Sequence, residues 1–200
     1  MSDSTQDLRT RRRLATEQDI HHAALTLMKQ QGFAATTVDE IVAAAGVSQR
    51  TFFRYFATKE DAVLMGYRVI DDAIDSLELP GEPRAALEAL LTFHGEQIDQ
   101  ITDDGADRYV TLQRLISTEA PLRDAVAARE LASMERLRIR LEAHLPGHQP
   151  LASRLIAEIA TAILRATFDH WRAQQDCSVS DLPGMYREVL AAAETLAKPR

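Results

Sequence analysis

This 200-residue chain has a single cysteine, Cys177. One thiol excludes an intrachain disulfide and fits a reducing compartment. Long apolar runs are missing too: no stretch approaches the roughly 18 residues needed to cross a bilayer. The N-terminal MSDSTQDLRTRRR lacks the apolar segment of a signal peptide, so a cytoplasmic location is expected. Familiar catalytic motifs are absent as well, with no glycine-rich phosphate loop, no HExxH and no GxSxG. No residue is therefore assigned as catalytic or metal-ligating, no cofactor is expected, and the chain is not expected to be an enzyme. His144 and His148 are four apart, but Pro146-Gly147 between them interrupts the continuous helix that would place both imidazoles on one face. Val, Thr and Tyr form no alternating runs, so strands are not expected.

Hydrophobic residues make up 46% of the chain and charged residues 26%, a globular balance rich in Ala and Leu. The length suits one or two domains. The net charge of −7 argues against a protein that coats nucleic acid indiscriminately. The charge is unevenly spread: residues 1–60 carry eight Lys and Arg against seven Asp and Glu, the remainder fifteen against twenty-three. Arg9, Arg11, Arg12 and Arg13 cluster near the N-terminus. An acidic body with a locally basic end suits directed contact with DNA.

The most informative stretch is residues 37–61, TVDEIVAAAGVSQRTFFRYFATKED. Thr37 and Glu40 form a capping box, so a helix is expected to start at about Val38. Ala43 to Ala45 favour helix, and Gly46 supplies the backbone angle that ends one. Ser48 is a good N-cap for a second helix through Tyr55, and Thr58 with Asp61 caps a third. This is a helix-turn-helix pattern. On the second helix Val47, Phe52 and Phe56 are expected to face inward, leaving Gln49, Arg50, Phe53 and Arg54 outward. A helix that reads the major groove uses such a set: Arg bonds guanine, Gln bonds adenine, and an aromatic edge meets thymine methyl groups.

Over residues 9–64, Gly32-Phe33, Thr36-Thr37-Val38, Ile41, Ala45-Gly46-Val47-Ser48, Thr51-Phe52-Phe53-Arg54-Tyr55-Phe56 and Lys59-Glu60 resemble the TetR family of transcriptional regulators. The TFFRYF form is similar to an actinobacterial subgroup that includes mycofactocin-associated regulators. The resemblance implies an all-α protein with an N-terminal three-helix helix-turn-helix DNA-binding domain and a C-terminal helical ligand-binding and dimerisation domain. The expected divisions are a disordered tail over 1–9, the DNA-binding domain over 10–57, and the second domain over 58–200. Such a protein is a homodimer on a double-stranded palindromic operator, most commonly a repressor released by a small molecule. Many members carry Tyr where this chain has Phe53, and that phenol usually bonds a phosphate. Here Tyr55 and Lys59, with Ser48 and Thr51, are the expected phosphate contacts. The full DNA-binding set is Arg11, Arg12, Arg13, Thr37, Ser48, Gln49, Arg50, Thr51, Phe53, Arg54, Tyr55 and Lys59.

The rest of the chain reads as amphipathic helices separated by turn signals. The first helix is expected from about Thr10 to Gln31. One helix from about Lys59 to Leu77 is expected to join the domains, and breaks are expected at Pro80–Pro83, Asp103–Gly105 and Pro146–Pro150. Apolar residues with a few polar groups on these helices suggest a pocket lined by Met65, Phe93, His94, Tyr109, Leu112, Arg114, Met134, Phe168, His170 and Trp171, suited to an apolar, lipid-like effector. Leu155, Ile156, Ile159 and Ile163, with Tyr186, Val189, Leu190 and Ala193, form a stripe wider than a surface helix needs. The two helices that carry them are expected to pair across a two-fold axis. Two other classes compete with this reading: a helical scavenging protein whose motif no longer reads DNA, and an enzyme built in the pocket. The outward arginines argue against the first, and the lack of a nucleophile–base or metal constellation argues against the second.

Overall fold

The computed structural model describes residues 3–101, 103–174 and 178–197, with backbone alone for 3–9 and 103–105. Cys177 lies outside the described residues. The described residues form ten α-helices and one short 3-10 turn, Val179–Asp181, with no strand among them. The helices are α1 Asp3–Gln31, α2 Val38–Ala45, α3 Gln49–Tyr55, α4 Lys59–Val63, α5 Met65–Ser76, α6 Pro83–Asp99, α7 Asp103–Thr118, α8 Ala120–His144, α9 Pro150–Arg172 and α10 Leu182–Ala197.

The local rules of capping account for the N-terminal half. The Thr37 side chain accepts from Glu40 N, and the Glu40 carboxylate accepts from Thr37 N at 2.8 Å. Gly46 closes α2 in the left-handed region at φ 65°, and its N–H bonds back to the Val42 and Ala43 carbonyls. Ser48 caps α3, and Thr58 with Asp61 caps α4 by a second reciprocal box. Later in the chain, Glu82 caps α6 through Arg84 N and Ala85 N, with Pro83 in the first turn.

Three boundaries differ from expectation. Helix α1 starts at Asp3 rather than near Thr10; no Pro or Gly stands before Leu14 to stop it. Helix α7 starts at Asp103 and runs through Gly105. One glycine costs about 1 kcal/mol, too little to break a 16-residue helix. The expected single helix from Lys59 to Leu77 is two helices, broken at Leu64 (φ −90°, ψ 19°). Leu64 is fully buried in the N-terminal core. The break turns the chain so that Leu64 packs there while α5 runs along α8.

Three apolar clusters hold the helices together. The first joins Ile20, Met28, Ile41, Phe52 and Phe56 to Ala62–Leu64, and continues into Leu112, Leu115, Ile116 and Leu122 of α7 and α8. The helix-turn-helix core is therefore continuous with the C-terminal body. The second centres on Leu90, Leu137, Leu141, Ile156 and Ala160. The third centres on Ile163, Trp171, Leu182 and Tyr186. In it the Trp171 indole N–H donates to the Ser178 carbonyl at 2.8 Å, and the Tyr186 hydroxyl donates to the Leu91 carbonyl at 2.6 Å.

Polar fastenings set the position of α4. Lys59 Nζ donates to the carbonyls of Phe33 and Thr36, both at 2.8 Å, and sits 4.2 Å from the centre of the Phe33 ring. His21 Nδ1 on α1 donates to the Ala62 carbonyl at 2.9 Å. Asp61, already a cap, pairs with Arg129 of α8. Nearby, the carboxylate of Glu17 is 2% exposed and held between Arg13 at 2.9 Å and Arg68 at 2.5 Å.

Two outcomes are expected. Phe52→Ala should destabilise the protein by about 3–5 kcal/mol in chemical denaturation, because the side chain is fully buried. Lys59→Met should lower stability by about 1–3 kcal/mol, because it removes two charge-assisted bonds to carbonyls of the α1–α2 turn. Unchanged stability with weaker binding to every DNA sequence would instead assign Lys59 to phosphate.

Candidate nucleic-acid interface and cavity

Helix α3 presents two faces as its spacing predicts. Phe52 and Phe56 are buried and Val47 is half-buried, while Gln49, Arg50, Phe53 and Arg54 are exposed. Phe53 keeps 55% of its surface and stands edge-on against Phe52, ring centres 5.3 Å apart. That contact sets the orientation of an outward aromatic ring. The Arg54 guanidinium lies 4.6 Å from the centre of the Tyr55 ring and donates to its hydroxyl at 2.8 Å. Arg50 is exposed and has no ion pair or hydrogen bond among the described residues. A solvated, unpaired guanidinium on the outer face of a capped helix is available to a base edge or a phosphate.

Other residues of the expected set are already engaged. The Gln49 amide donates to Asp39 on α2. The Ser48 hydroxyl accepts from Thr51 N at 3.1 Å and shares a bond with the Thr51 hydroxyl at 2.9 Å. Thr37 is bound to Glu40. Lys59 is half-buried, and its two carbonyl bonds turn it toward the α1–α2 turn. Arg11, Arg12 and Arg13 are exposed along α1, with Arg13 bonded to Glu17. The pairing of Gln49 with Asp39 was not foreseen: the two lie ten residues apart on different helices, and no sequence periodicity marks the contact.

In the C-terminal body, α1 and α5 to α9 enclose a cavity of about 450 Å³. Met65, His94, Tyr109, Leu112, Met134 and Phe168 line it, as the sequence suggests. Four expected residues do not. Phe93 is buried but turned away, one helical step from His94. Arg114 and His170 are exposed on the outer faces of α7 and α9. Trp171 is 1% exposed and stands behind the wall, its ring 5.9 Å from that of Tyr109. Phe93, Arg114 and Trp171 each sit one residue, about 100° around the helix, from a residue that does line the cavity, whereas His170 lies on the far side of α9 from Phe168 and Arg172.

The polar lining was largely missed. Gln113 is buried, and its side-chain oxygen accepts from Arg172 at 2.8 Å. Tyr67 and Tyr109 face the same amide, and burial pushes both phenols up, so they stay protonated. Burial alone takes His94 down to about 4, so its imidazole is neutral at physiological pH. Burial raises Glu130, against the opposing pull of Arg165 and Arg172. A helical stripe did carry part of this: Tyr109 and Gln113 are four apart, as are Thr161, Arg165 and Asp169 by position, and Leu164, Phe168 and Arg172. Among the described residues, no group of three or more His, Cys, Asp or Glu could hold a metal ion.

The outer face expected for dimerisation is divided. Leu155 and Ile159 are exposed and continue a face begun by Leu151. Ile156, Ile163 and Tyr186 are instead buried in the chain's own core, and Val189, Leu190 and Ala193 are half-buried against the third cluster. Residues 155 and 156 differ by one helical step, which turns one outward and the other into the core. Leu196 is a further outward apolar residue, at 87% exposure.

Comparison with known proteins agrees with this architecture. The model of the tetR family of bacterial regulatory proteins matches residues 20–64. The chain is 28% identical over 192 residues to the HTH-type transcriptional regulator TcmR of Streptomyces glaucescens, covering 92% of this chain and 84% of TcmR. It is 38% identical over 91 residues to MftR of Mycobacterium tuberculosis, named for transcriptional regulation of mycofactocin biosynthesis, covering 42% of this chain and 46% of MftR. Among solved structures, a TetR-family regulator from Syntrophomonas wolfei superposes with a TM-score of 0.58 at 20% identity, over 91% of this chain and 94% of that one. A regulator from Aquifex aeolicus VF5 gives 0.52 at 18%, over 90% and 99%; both likenesses are of fold alone. The matched segment holds the capped α2–Gly46–α3 unit with its outward arginines, and residues 20–64 form an N-terminal domain of the kind found in the tetR family of bacterial regulatory proteins.

Proposed function

We propose that the protein is a homodimeric repressor that binds a palindromic operator and is released by a mostly apolar small molecule. The observation that carries this reading is the juxtaposition of two features in one chain. A capped reading helix exposes Arg50 and Arg54, and a large cavity lies behind the helix that follows it. His21 and Arg129 line that cavity and are bonded to α4 at Ala62 and Asp61. A ligand that shifts either residue shifts α4, and α4 is joined to α3 through Phe56–Thr58. The tetR-type segment at residues 20–64 supports this reading, because regulators of that family are typically ligand-responsive repressors.

Two copies are needed to read both halves of a palindromic operator. The exposed face of Leu151, Leu155 and Ile159 on α9, with Leu196 on α10, is apolar and uncovered by the chain itself. Pairing these faces across a two-fold axis would bury them and place the two α3 helices in successive major grooves, about 34–36 Å apart. A ligand that alters this separation by a small tilt would weaken binding, with a usual coupling of about 1–3 kcal/mol.

In this account Arg50 and Arg54 contact base edges, Phe53 meets apolar base surface, and Gln49 must exchange Asp39 for a base. Tyr55, Ser48 and Thr51 lie beside them for phosphates, and Arg11 to Arg13 reach the flanking backbone. Arg50→Ala should cost about 1–3 kcal/mol in operator affinity and relax specificity, measured by anisotropy against operator and random duplexes. Equal affinities for wild type and variant would remove Arg50 from the interface. Leu155→Glu combined with Ile159→Glu should yield monomers in sedimentation and abolish the one-to-two operator complex. A variant that stays dimeric would place the interface elsewhere.

A further inference from the structure

The deepest polar feature of the cavity wall is His94. Its side chain is 4% exposed, it lines the cavity, and Nδ1 is fully buried with no hydrogen-bond partner. An unmade hydrogen bond on a buried polar atom disfavours the empty state, and a ligand that supplies the bond gains what the empty protein forgoes. Several other polar groups of the lining are already bonded. Gln113 is bonded to Arg172, Arg129 to Asp61, and Arg136 to Asp71 at 2.8 Å. Ser133 donates to Asp71. Arg108 and Arg165 are exposed.

The surroundings of His94 define what it would accept. Apolar side chains such as Leu112, Met134, Leu137, Leu164 and Phe168 share the wall. Burial is the sole cause of the shift on His94, so no charged group acts on it. A charged group placed against His94 would be desolvated with no opposite charge acting at that imidazole. A hydroxyl suits the site best. It can donate to one imidazole tautomer and accept from the other, whereas a carbonyl can only accept.

Building on the ligand-responsive reading above, we propose that the effector is an uncharged, largely apolar alcohol or phenol whose hydroxyl pairs with His94 Nδ1 once a turn of the imidazole brings that atom, closed to solvent in this structure, to the cavity. The phenols of Tyr67 and Tyr109 form a second neutral polar patch around Gln113, suited to a second oxygen on the same molecule.

Three probes with one skeleton test this: naphthalene, 2-naphthol and 2-naphthoate, titrated calorimetrically at pH 7 into the intact protein and into His94→Leu. The expected result is saturable binding of 2-naphthol about tenfold tighter than either other probe, with the preference lost in His94→Leu. In the unaltered protein, the ¹⁵N resonance of His94 Nδ1 should move with 2-naphthol and not with naphthalene; this keeps the test decisive if the variant fails to fold. A preference that survives His94→Leu, or an Nδ1 resonance indifferent to 2-naphthol, overturns the role of His94. Tightest binding of 2-naphthoate overturns the uncharged class. Equal binding of all three leaves the ligand-responsive reading standing and overturns this one, whereas no binding of any probe counts against both.

Discussion

The position of α4 is the constraint on which the rest of the structure depends. Five residues cannot hold a helix in water alone, since nucleation costs more than one turn returns. This one persists because it is fastened on every side. Thr58 and Asp61 close its N-terminus, Lys59 ties it to the α1–α2 turn, and His21 holds the Ala62 carbonyl. Arg129 anchors Asp61 from α8, while Ala62, Val63 and Leu64 sink into the first apolar cluster. The outer helices carry recognition and the inner ones enclose the cavity. Both are referred to this short segment.

Asp61 shows how economical the arrangement is. One carboxylate oxygen accepts from Thr58 N and caps α4, and the other meets a guanidinium from the cavity wall. Glu17 plays a comparable part between α1 and α5, and Arg68 also approaches the Phe56 ring at 5.6 Å. Two carboxylates thus connect the reading unit to the body by charge-assisted bonds of defined direction. Such contacts have discrete alternatives, made or broken, whereas the apolar clusters deform little. A cavity bordered by both kinds of contact is suited to a two-state response.

The charge distribution follows the same division. The body is acidic, and exposed arginines cluster on α3 and along α1. In the proposed DNA complex a narrow basic edge would meet the duplex and the acidic remainder would be kept off the phosphates. In the cavity wall Arg129, Arg136 and Arg172 are bonded to carboxylates or an amide, and burial keeps His94, Tyr67 and Tyr109 neutral.

The sequence by itself determined the helical class, the caps at Thr37, Ser48 and Thr58, the turn at Gly46, and the inward and outward faces of α3. All of these are settled within one or two helical turns, by backbone hydrogen bonds and a 3.6-residue period that residue types report directly. It also carried a minor part of the cavity wall, where Tyr109, Leu112 and Phe168 lie on apolar stripes. Tertiary structure alone decided the break at Leu64, the capture of Lys59 and Gln49 by intramolecular partners, and the choice of Phe168 over Trp171 as lining. It also decided that Ile156 turns inward beside an outward Leu155. These depend on how one helix is rotated against another, a matter of packing among residues far apart in sequence. A rotation of one residue exchanges core for cavity or surface without changing the hydrophobic pattern that the chain displays.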